Sequence, residues 1–393
     1  MVVHAYYDED PRVRREAEAL VGAGREVDVF ALRRADDAAE GTLDGVTVRR
    51  LGVQRHQGAG IAVYLREYLS FLARAAWALT AAHRRRHYGV VQVHSLPDFL
   101  VFAALPLRLA GVPVILDLHE AMPEFFRSRF PGASNPLAHG LLRLQERLSI
   151  AVSSTTITVN EVMAERLRSL GVRPDKVHVV SNSASLTRFD PAGHPARPFA
   201  ADGVVRLVYA GALTPTYELD VALEALGRIA RDRPDVAFAL DVYGRGDAEP
   251  ALRQQAERLG LAERVAFHGR IPIEDVPGAV ARADIGLAPT RHDRFTDVSL
   301  STKLFEYAAM GKPVVATHLP LVAATFPAGT AWTYPAGDAG ALAAAILAIL
   351  DRPAELAAGV EATLAIVRAA SWEQQAARYV ALVDRVRRRT GAG

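Results

Sequence analysis

The chain contains no cysteine. Disulfides, thiolate nucleophiles and Cys-ligated zinc are therefore excluded. Lysine is almost absent as well: of 46 basic residues, only Lys176, Lys303 and Lys312 are not arginine. There is no excess charge of either sign, because 44 acidic residues leave a formal +2, so the electrostatic footprint of a nucleic-acid binder is missing. Long hydrophobic runs are missing too. The longest, near 99–106 and 341–350, fall well short of a membrane-spanning helix. Met1-Val-Val-His-Ala offers neither a basic n-region nor a long apolar h-region, so no signal peptide is expected. No short-period repeat is visible. These absences together predict a soluble cytoplasmic protein.

What the chain has is length and a regular alternation. Its 393 residues, half of them hydrophobic, suit about two to three domains with ordinary cores. Short β-rich runs are predicted at 2–6, 26–32, 45–51, 90–94, 112–117, 155–159 and 177–181. A second series follows at 205–210, 236–243, 264–268, 284–288, 313–317 and 331–333. Helical patterns lie between them, among them 11–23, 61–86, 97–110, 136–150 and 301–310. Strand–helix alternation of this kind means βαβ units and parallel sheets covered on both faces. The series restarts near Val204, after a Pro- and Gly-rich stretch at 189–203 that reads as a linker. The expected architecture is α/β, with two Rossmann-like domains at 1–190 and 203–370 and a final segment, 371–393, whose helix packs back on the first domain. Ligands of open α/β sheets bind beyond the carboxyl ends of the strands, so the expected site is a cleft between two facing domains.

The most informative segment is 296–317, Thr-Asp-Val-Ser-Leu-Ser-Thr-Lys-Leu-Phe-Glu-Tyr-Ala-Ala-Met-Gly-Lys-Pro-Val-Val-Ala-Thr. A polar loop enters a short helix carrying Lys303 and Glu306, Gly311 ends it, and a Pro-led strand follows. Such a turn offers one cation, one carboxylate and free helix N–H groups, which suits a ligand with phosphate and hydroxyl groups. Lysine is a compact point charge and arginine a wide fork. A lysine kept here, against the bias of the chain, marks a place where the fork would not fit. The stretch 61–87 admits two readings. Its helix carries Tyr64, Tyr68, Phe71 and Trp77 and ends in His83-Arg-Arg-Arg-His87. This is either a peripheral contact with an anionic membrane surface or a core-facing aromatic stripe with a solvated basic end.

Taken in order, several strings resemble those of the GT-B glycosyltransferases of the large retaining family 4. They are Asp10-Pro-Arg-Val-Arg-Arg-Glu-Ala, Val91-Gln-Val-His94, Asp117-Leu-His119-Glu120, Val179-Val-Ser-Asn182, Tyr209-Ala-Gly211, Val242-Tyr-Gly244-Arg-Gly246, Phe267-His-Gly269 and Ala283-Asp284-Ile-Gly-Leu-Ala-Pro289. The most specific is Lys303-Leu-Phe-Glu306-Tyr-Ala-Ala-Met-Gly311-Lys-Pro-Val-Val. The resemblance implies two Rossmann-like domains, with a nucleotide sugar held by the second and a hydroxyl acceptor by the first. It implies no metal and no cofactor.

By the same resemblance, Glu306 accepts from the ribose diol, for which a carboxylate offers paired acceptors. The N–H groups at 299–302 face the diphosphate with the hydroxyls of Ser299, Ser301 and Thr302. Gly211 and Gly244 let the backbone approach the nucleotide, and the main chain at Arg270 and Ile271 reads the base. His119 contacts the donor sugar and steadies charge at the anomeric centre. Lys303 and Arg12 are candidate phosphate partners. Arg12, His94, Asp98 and Glu120, with Glu124 behind them, are candidates on the acceptor side. Reaction on one sugar face, with the leaving phosphate taking the acceptor proton, needs no carboxylate pair of the glycosidase kind.

The chain also departs from the family pattern. The turn after the first strand, Tyr6-Tyr-Asp-Glu-Asp-Pro-Arg12, lacks glycine; that strand is short, and a start upstream is the expectation. The Arg and Lys that commonly follow the first strand of the second domain are here Ala212 and Tyr217. Losing two such cations weakens diphosphate binding by a few kcal/mol unless others replace them. Lys303, Arg245 and Arg291 are the candidates. The first glutamate of the family pair falls at Val298, and Asp297 is its neighbour. The expected function is hexosyl transfer from a nucleoside diphosphate sugar to a hydroxyl. A sugar-nucleotide epimerase and a non-catalytic sugar-nucleotide-binding protein are the alternatives.

Overall fold

The computed structural model describes residues 1–54, 60–130, 132, 135–195 and 197–388. The chain divides into two units. One comprises Met1–Asn182 and Gln374–Gly393, the other Ser183–Glu373. Of the C-terminal segment, 389–393 lies outside the described residues.

The first unit opens with helix α1 (Pro11–Gly22), whose N-cap Asp10 accepts from the backbone N–H groups of Arg12 and Val13. Strands β1 (Asp28–Leu32), β2 (Glu40–Leu43) and β3 (Val46–Leu51) follow, then the long helix α2 (Ile61–Arg86) and strand β4 (Val91–His94). Helix α3 (Leu105–Leu109), strand β5 (Val114–Leu118), helices α4 (Met122–Arg129) and α5 (Pro136–Val152), strand β6 (Thr155–Thr158), helix α6 (Glu161–Ser169) and strand β7 (Val177–Val179) complete the series. The strands β1, β4, β5 and β6 are buried at every position, as parallel strands covered on both faces must be.

The expected strand at 2–6 contracts to one two-sided bridge. Val2 pairs in parallel with Phe30 on one side and Val93 on the other. Its N–H donates to the Gln92 carbonyl, and its own carbonyl accepts from His94. This single residue joins the β1-β3-β2 and β4-β5-β6-β7 ladders. The antiparallel strand β2 was not expected. Its signal was the Asp44-Gly45 pair, whose φ values of 50° and 79° make the tight turn such a dipeptide favours. The helix expected over 97–110 is instead a 3-10 turn, Asp98–Ala104, running into α3. Pro106 explains the break, since it has no N–H and its ring opposes an α-helix continuing through it. Helix α4 was likewise not expected.

The second unit carries β8 (Val204–Ala210), α7 (Leu219–Asp232), β9 (Ala237–Tyr243), α8 (Glu249–Arg258), β10 (Val265–Gly269), α9 (Val276–Ala281), β11 (Ile285–Ala288), α10 (Thr302–Ala309), β12 (Val314–Thr317), α11 (Pro320–Thr325), β13 (Trp332–Tyr334), α12 (Ala339–Asp351) and α13 (Pro353–Ala369). The sheet order is β10-β9-β8-β11-β12-β13, the doubly wound order that reverses between β8 and β11. A crevice forms at the carboxyl ends at such a reversal. The stretch 189–203 is not a free linker. Arg197 donates to Asp284 at 2.5 Å, and the N–H groups of Ala200 and Arg206 donate to the same carboxylate. Phe189 is buried in the core of this unit; Ala196 of the stretch lies outside the described residues. The last helix, α14 (Trp372–Arg388), places Tyr379 in the first unit, where its hydroxyl donates to Gln92 at 2.7 Å.

Gly45 tests the hairpin. A Cβ there would lie 2.8 Å from Val21 Cγ1, at a positive φ. Gly45→Ala should lower stability by about 1–2 kcal/mol, seen as a lower urea midpoint at unchanged slope.

Candidate functional site

In the second unit the site begins with a missing side chain. Gly286 lies in β11, and a Cβ there would fall 2.3 Å from the Tyr307 ring. The ring therefore rests on the strand backbone, and the Tyr307 hydroxyl accepts from the Ala210 N–H at 2.9 Å. This fastens α10 to the point where the strand order reverses. Lys303 precedes Tyr307 by one turn and shares its face. Its stem fills the space beside Gly211, where a Cβ would lie 2.2 Å from Cε. Its Nζ stands 3.9 Å from the centroid of the Tyr217 ring and 5.0 Å from that of Tyr209. Tyr209 is held by donation from its hydroxyl to the Ala212 carbonyl at 2.6 Å. Lys303 is only 6% exposed. Burial pushes its ammonium down to about 8, with Glu306 acting in the opposite direction. The position expected to carry a cation, Tyr217, thus offers a π-face to the buried cation Lys303.

The glycines serve the protein before any ligand. At Gly244 the φ is 143°, and a Cβ would meet the Gly211 carbonyl oxygen at 1.7 Å. The turns after β8 and β9 are packed back to back, and Gly211 N–H donates to Tyr243 while Gly244 N–H donates to Gly269. The space expected for a nucleotide at Gly211 and Gly244 is taken by Lys303 and by backbone. Ser301 is the N-cap of α10 but makes no side-chain capping bond, which leaves the first-turn N–H groups of the helix without that partner. A small pocket there is lined by Thr216, Tyr217, Phe295, Ser299, Ser301 and Leu304. Thr302 and Glu306 are half-buried. Asp297 pairs with His292 at 2.9 Å. Arg245, Arg270 and Arg291 are exposed, and Ile271 packs against the core.

In the first unit the hub is Asp117, buried in β5. Arg12 on α1 clamps it with Nε to Oδ2 at 2.9 Å and Nη2 to Oδ1 at 2.7 Å. His94, at the end of β4, and His119, just past β5, both reach Asp117 Oδ2, at 3.1 and 3.2 Å, and their rings are 3.2 Å apart at the nearest nitrogens. Burial alone would raise the Asp117 carboxyl. Arg12 and His119 more than reverse this and hold it well below the usual range. Burial takes His94 down to about 4, so it is neutral. For His119, burial is outweighed by Asp117, and its imidazole is held above the usual value. His119 is the open member of the pair, its side chain 18% exposed. Burial also pushes the adjacent Glu120 up to about 7.

Three expectations are corrected by burial. Arg12 is buried and turned to the protein interior, away from a phosphate or an acceptor: besides Asp117 it donates to the Val180 carbonyl at 3.0 Å and pairs with Glu16 at 3.1 Å. His94 is wholly buried and acts on His119 and Asp117. Asp98 is wholly buried too, and burial raises its carboxyl well above the usual range, so it is kept neutral away from solvent. Asp117 and Glu16 were the residues missed. The signal was periodicity: Asp117 and His119 share a strand face at i and i+2, and Arg12 and Glu16 a helix face at i and i+4. His94, Asp117 and His119 bring three potential metal-ligand atoms within 4.8 Å. Both Asp117 oxygens already accept from Arg12, and a dication would face that guanidinium, so the set suits a shared proton better than a metal.

This geometry defines a class, the GT-B glycosyltransferase fold. Sucrose-phosphate synthase of Thermosynechococcus elongatus superposes with a TM-score of 0.78 at 18% identity, over 98% of each chain. HepE of Anabaena, solved with UDP-glucose, gives 0.72 at 14% identity, again over 98% of each. Residues 10–183 match the model of a glycosyl transferase 4-like domain, and 205–352 that of glycosyl transferases group 1. D-inositol 3-phosphate glycosyltransferase 2 of Catenulispora acidiphila is 26% identical over 353 residues, 86% of this chain and 80% of that protein. The chain belongs to the group 1 glycosyltransferases. It is a transferase, and the epimerase and non-catalytic alternatives fall away with that assignment.

The buried lysine makes a stability prediction. Folded Lys303 titrates near 8 against an ordinary 10.5, so its charge penalises the folded state fully below about 8, and the penalty is relieved as pH rises towards 10.5. Lys303→Met should therefore stabilise the protein at neutral pH by about 1–3 kcal/mol. The gain should shrink by pH 10, as read from urea unfolding at the two pH values.

Proposed function

We propose that the enzyme is a retaining, metal-independent hexosyltransferase that moves a sugar from a nucleoside diphosphate to an acceptor hydroxyl. One observation carries the reading: a buried, ring-held Lys303 with Glu306 three residues on, at the reversal point of a doubly wound sheet. A point charge answers a diphosphate, and a carboxylate one turn away answers a ribose diol. The first-turn N–H groups of α10, with Ser299, Ser301 and Thr302, add donors for phosphate oxygens. Arg245 and Arg270, both exposed just past the ends of β9 and β10, are further candidates to meet the same ligand.

His119 supplies the second charge. Because Asp117 keeps it protonated more readily than an ordinary histidine, it acts as a donor and a cation and not as a base. That suits a reaction in which the leaving diphosphate takes the acceptor proton and the protein contributes position and electrostatics. Arg12 and His94 support His119 through Asp117; on the acceptor side only Glu120 remains of the four candidates. The acceptor class stays broad: cell-wall or polysaccharide chains, lipid-linked sugars and natural products all present the required hydroxyl. We place the enzyme in the cytoplasm, with the basic end of α2 resting peripherally on the inner face of the membrane. Among the described residues no helix is long and apolar enough to cross one.

The test is a thermal-shift panel of UDP, GDP, ADP and dTDP with and without magnesium, followed by kinetics. One nucleotide at a hundred times its dissociation constant should stabilise by about 2.7 kcal/mol without metal. Lys303→Met and Glu306→Gln should abolish most of that shift and cut transfer by about a hundredfold or more. A shift that requires magnesium, or variants that transfer sugar at the normal rate, would refute the reading.

A further inference from the structure

Helix α5 carries Leu137, Leu141, Leu144 and Leu148, at spacings of four, three and four residues. That spacing sets all four on one helix face. In a helix covering a sheet, such a face normally turns inward. Here it turns outward: the four are 74%, 58%, 53% and 49% exposed. The inward side is led by Glu146, Ser149 and Ile150. Glu146 is anchored by Arg166 at 2.8 Å, and Arg166 also grips Glu124 of α4 at 2.7 Å. A polar clamp thus holds the helix down while its leucines face away. Scattered exposed leucines are ordinary, but a contiguous stripe marks an interaction surface.

Charge decides what covers it. The exposed charged residues of α5 are Arg143 and Arg147, and its only carboxylate, Glu146, is buried. A second copy of the helix would set these arginines against their equivalents with no acid to answer them. An anionic lipid surface answers both features, because leucines enter the boundary between headgroups and acyl chains while arginines meet phosphates. Helix α2 packs on the same 3-10 turn as α5 and exposes Leu65 and Leu69. Two neighbouring helices of this unit therefore present leucines to solvent.

We propose that the leucine face of α5 is a docking surface that seats the first unit on an anionic lipid bilayer. It extends the peripheral placement suggested for α2 but does not require the basic end of that helix. The leucines and arginines concerned take no part in the transfer site, so docking and chemistry are separable.

The experiment is flotation of the full chain with vesicles of phosphatidylcholine alone or mixed with phosphatidylglycerol. The unmodified protein should float with the anionic vesicles only, and less so at high salt. Leu141→Glu/Leu144→Glu should reduce the bound fraction by about tenfold or more while keeping the thermal midpoint, because both positions are exposed. Arg143→Gln/Arg147→Gln should erase the preference for anionic lipid. A variant of α2, Trp77→Ala/Arg84→Gln/Arg85→Gln, separates the two contacts. If it abolishes flotation and the α5 leucine variant does not, the α5 proposal is overturned and the α2 placement stands. If the unmodified protein floats with neither vesicle, both fail. Dimers that are lost in the leucine variant, without vesicle binding, would make the face an interface between copies and overturn the lipid proposal.

Discussion

The clamp of Arg12 on Asp117 is the interaction on which the first unit depends. It ties the opening helix to a central strand, and the same guanidinium reaches the Val180 carbonyl beyond the last strand. Through Glu16 the clamp extends to Gln92, and through Gln92 to Tyr379 of the C-terminal helix. A buried ion pair is poor evidence of net stability, because desolvation offsets most of its attraction. Removing one partner is another matter and costs about 3–5 kcal/mol, since it strands the other charge. The clamp is therefore a device of position. It fixes the charge of Asp117; burial keeps His94 neutral, while Asp117 outweighs burial at His119 and raises its proton affinity.

The second unit solves a different electrostatic problem with fewer charges. Where relatives of this family commonly place an Arg and a Lys, the chain has Ala212 and Tyr217. The cation comes instead from α10 and is held between two aromatic rings. Gly211 leaves room for its stem, since a Cβ there would lie 2.2 Å from Lys303 Cε. That room is filled by one of the chain's three lysines. The cost is a buried ammonium with a lowered proton affinity, a local destabilisation of the kind functional sites carry.

The two sites differ in how legible they were. Lys303 and Glu306 could be read because they lie three residues apart in one helix, where spacing alone sets their relation. Helix α10, its terminating glycine and the following strand all formed within a residue or two of expectation. The hub at Asp117 gathers residues from α1, β4 and β5, which are distant in sequence. Its charged members look alike in the chain, so Arg12 reads as a phosphate ligand when it is an internal tie, and Asp98 as an acceptor contact when it is buried and neutral. Exposure of α5 was equally invisible: a 4-3-4 leucine stripe has the same pattern whether it faces a core or solvent.

By itself, the sequence determined the alternation of strands and helices, the restart of the series near Val204 and the family to which the chain belongs. These follow from local periodicity and from residues adjacent in the chain, which need no knowledge of the fold. Only the tertiary structure decided which charges are spent inside the protein and which remain for a ligand. Protonation, burial and pairing depend on groups brought together from far apart, and a free arginine and a clamped one are the same letter until the chain closes around them.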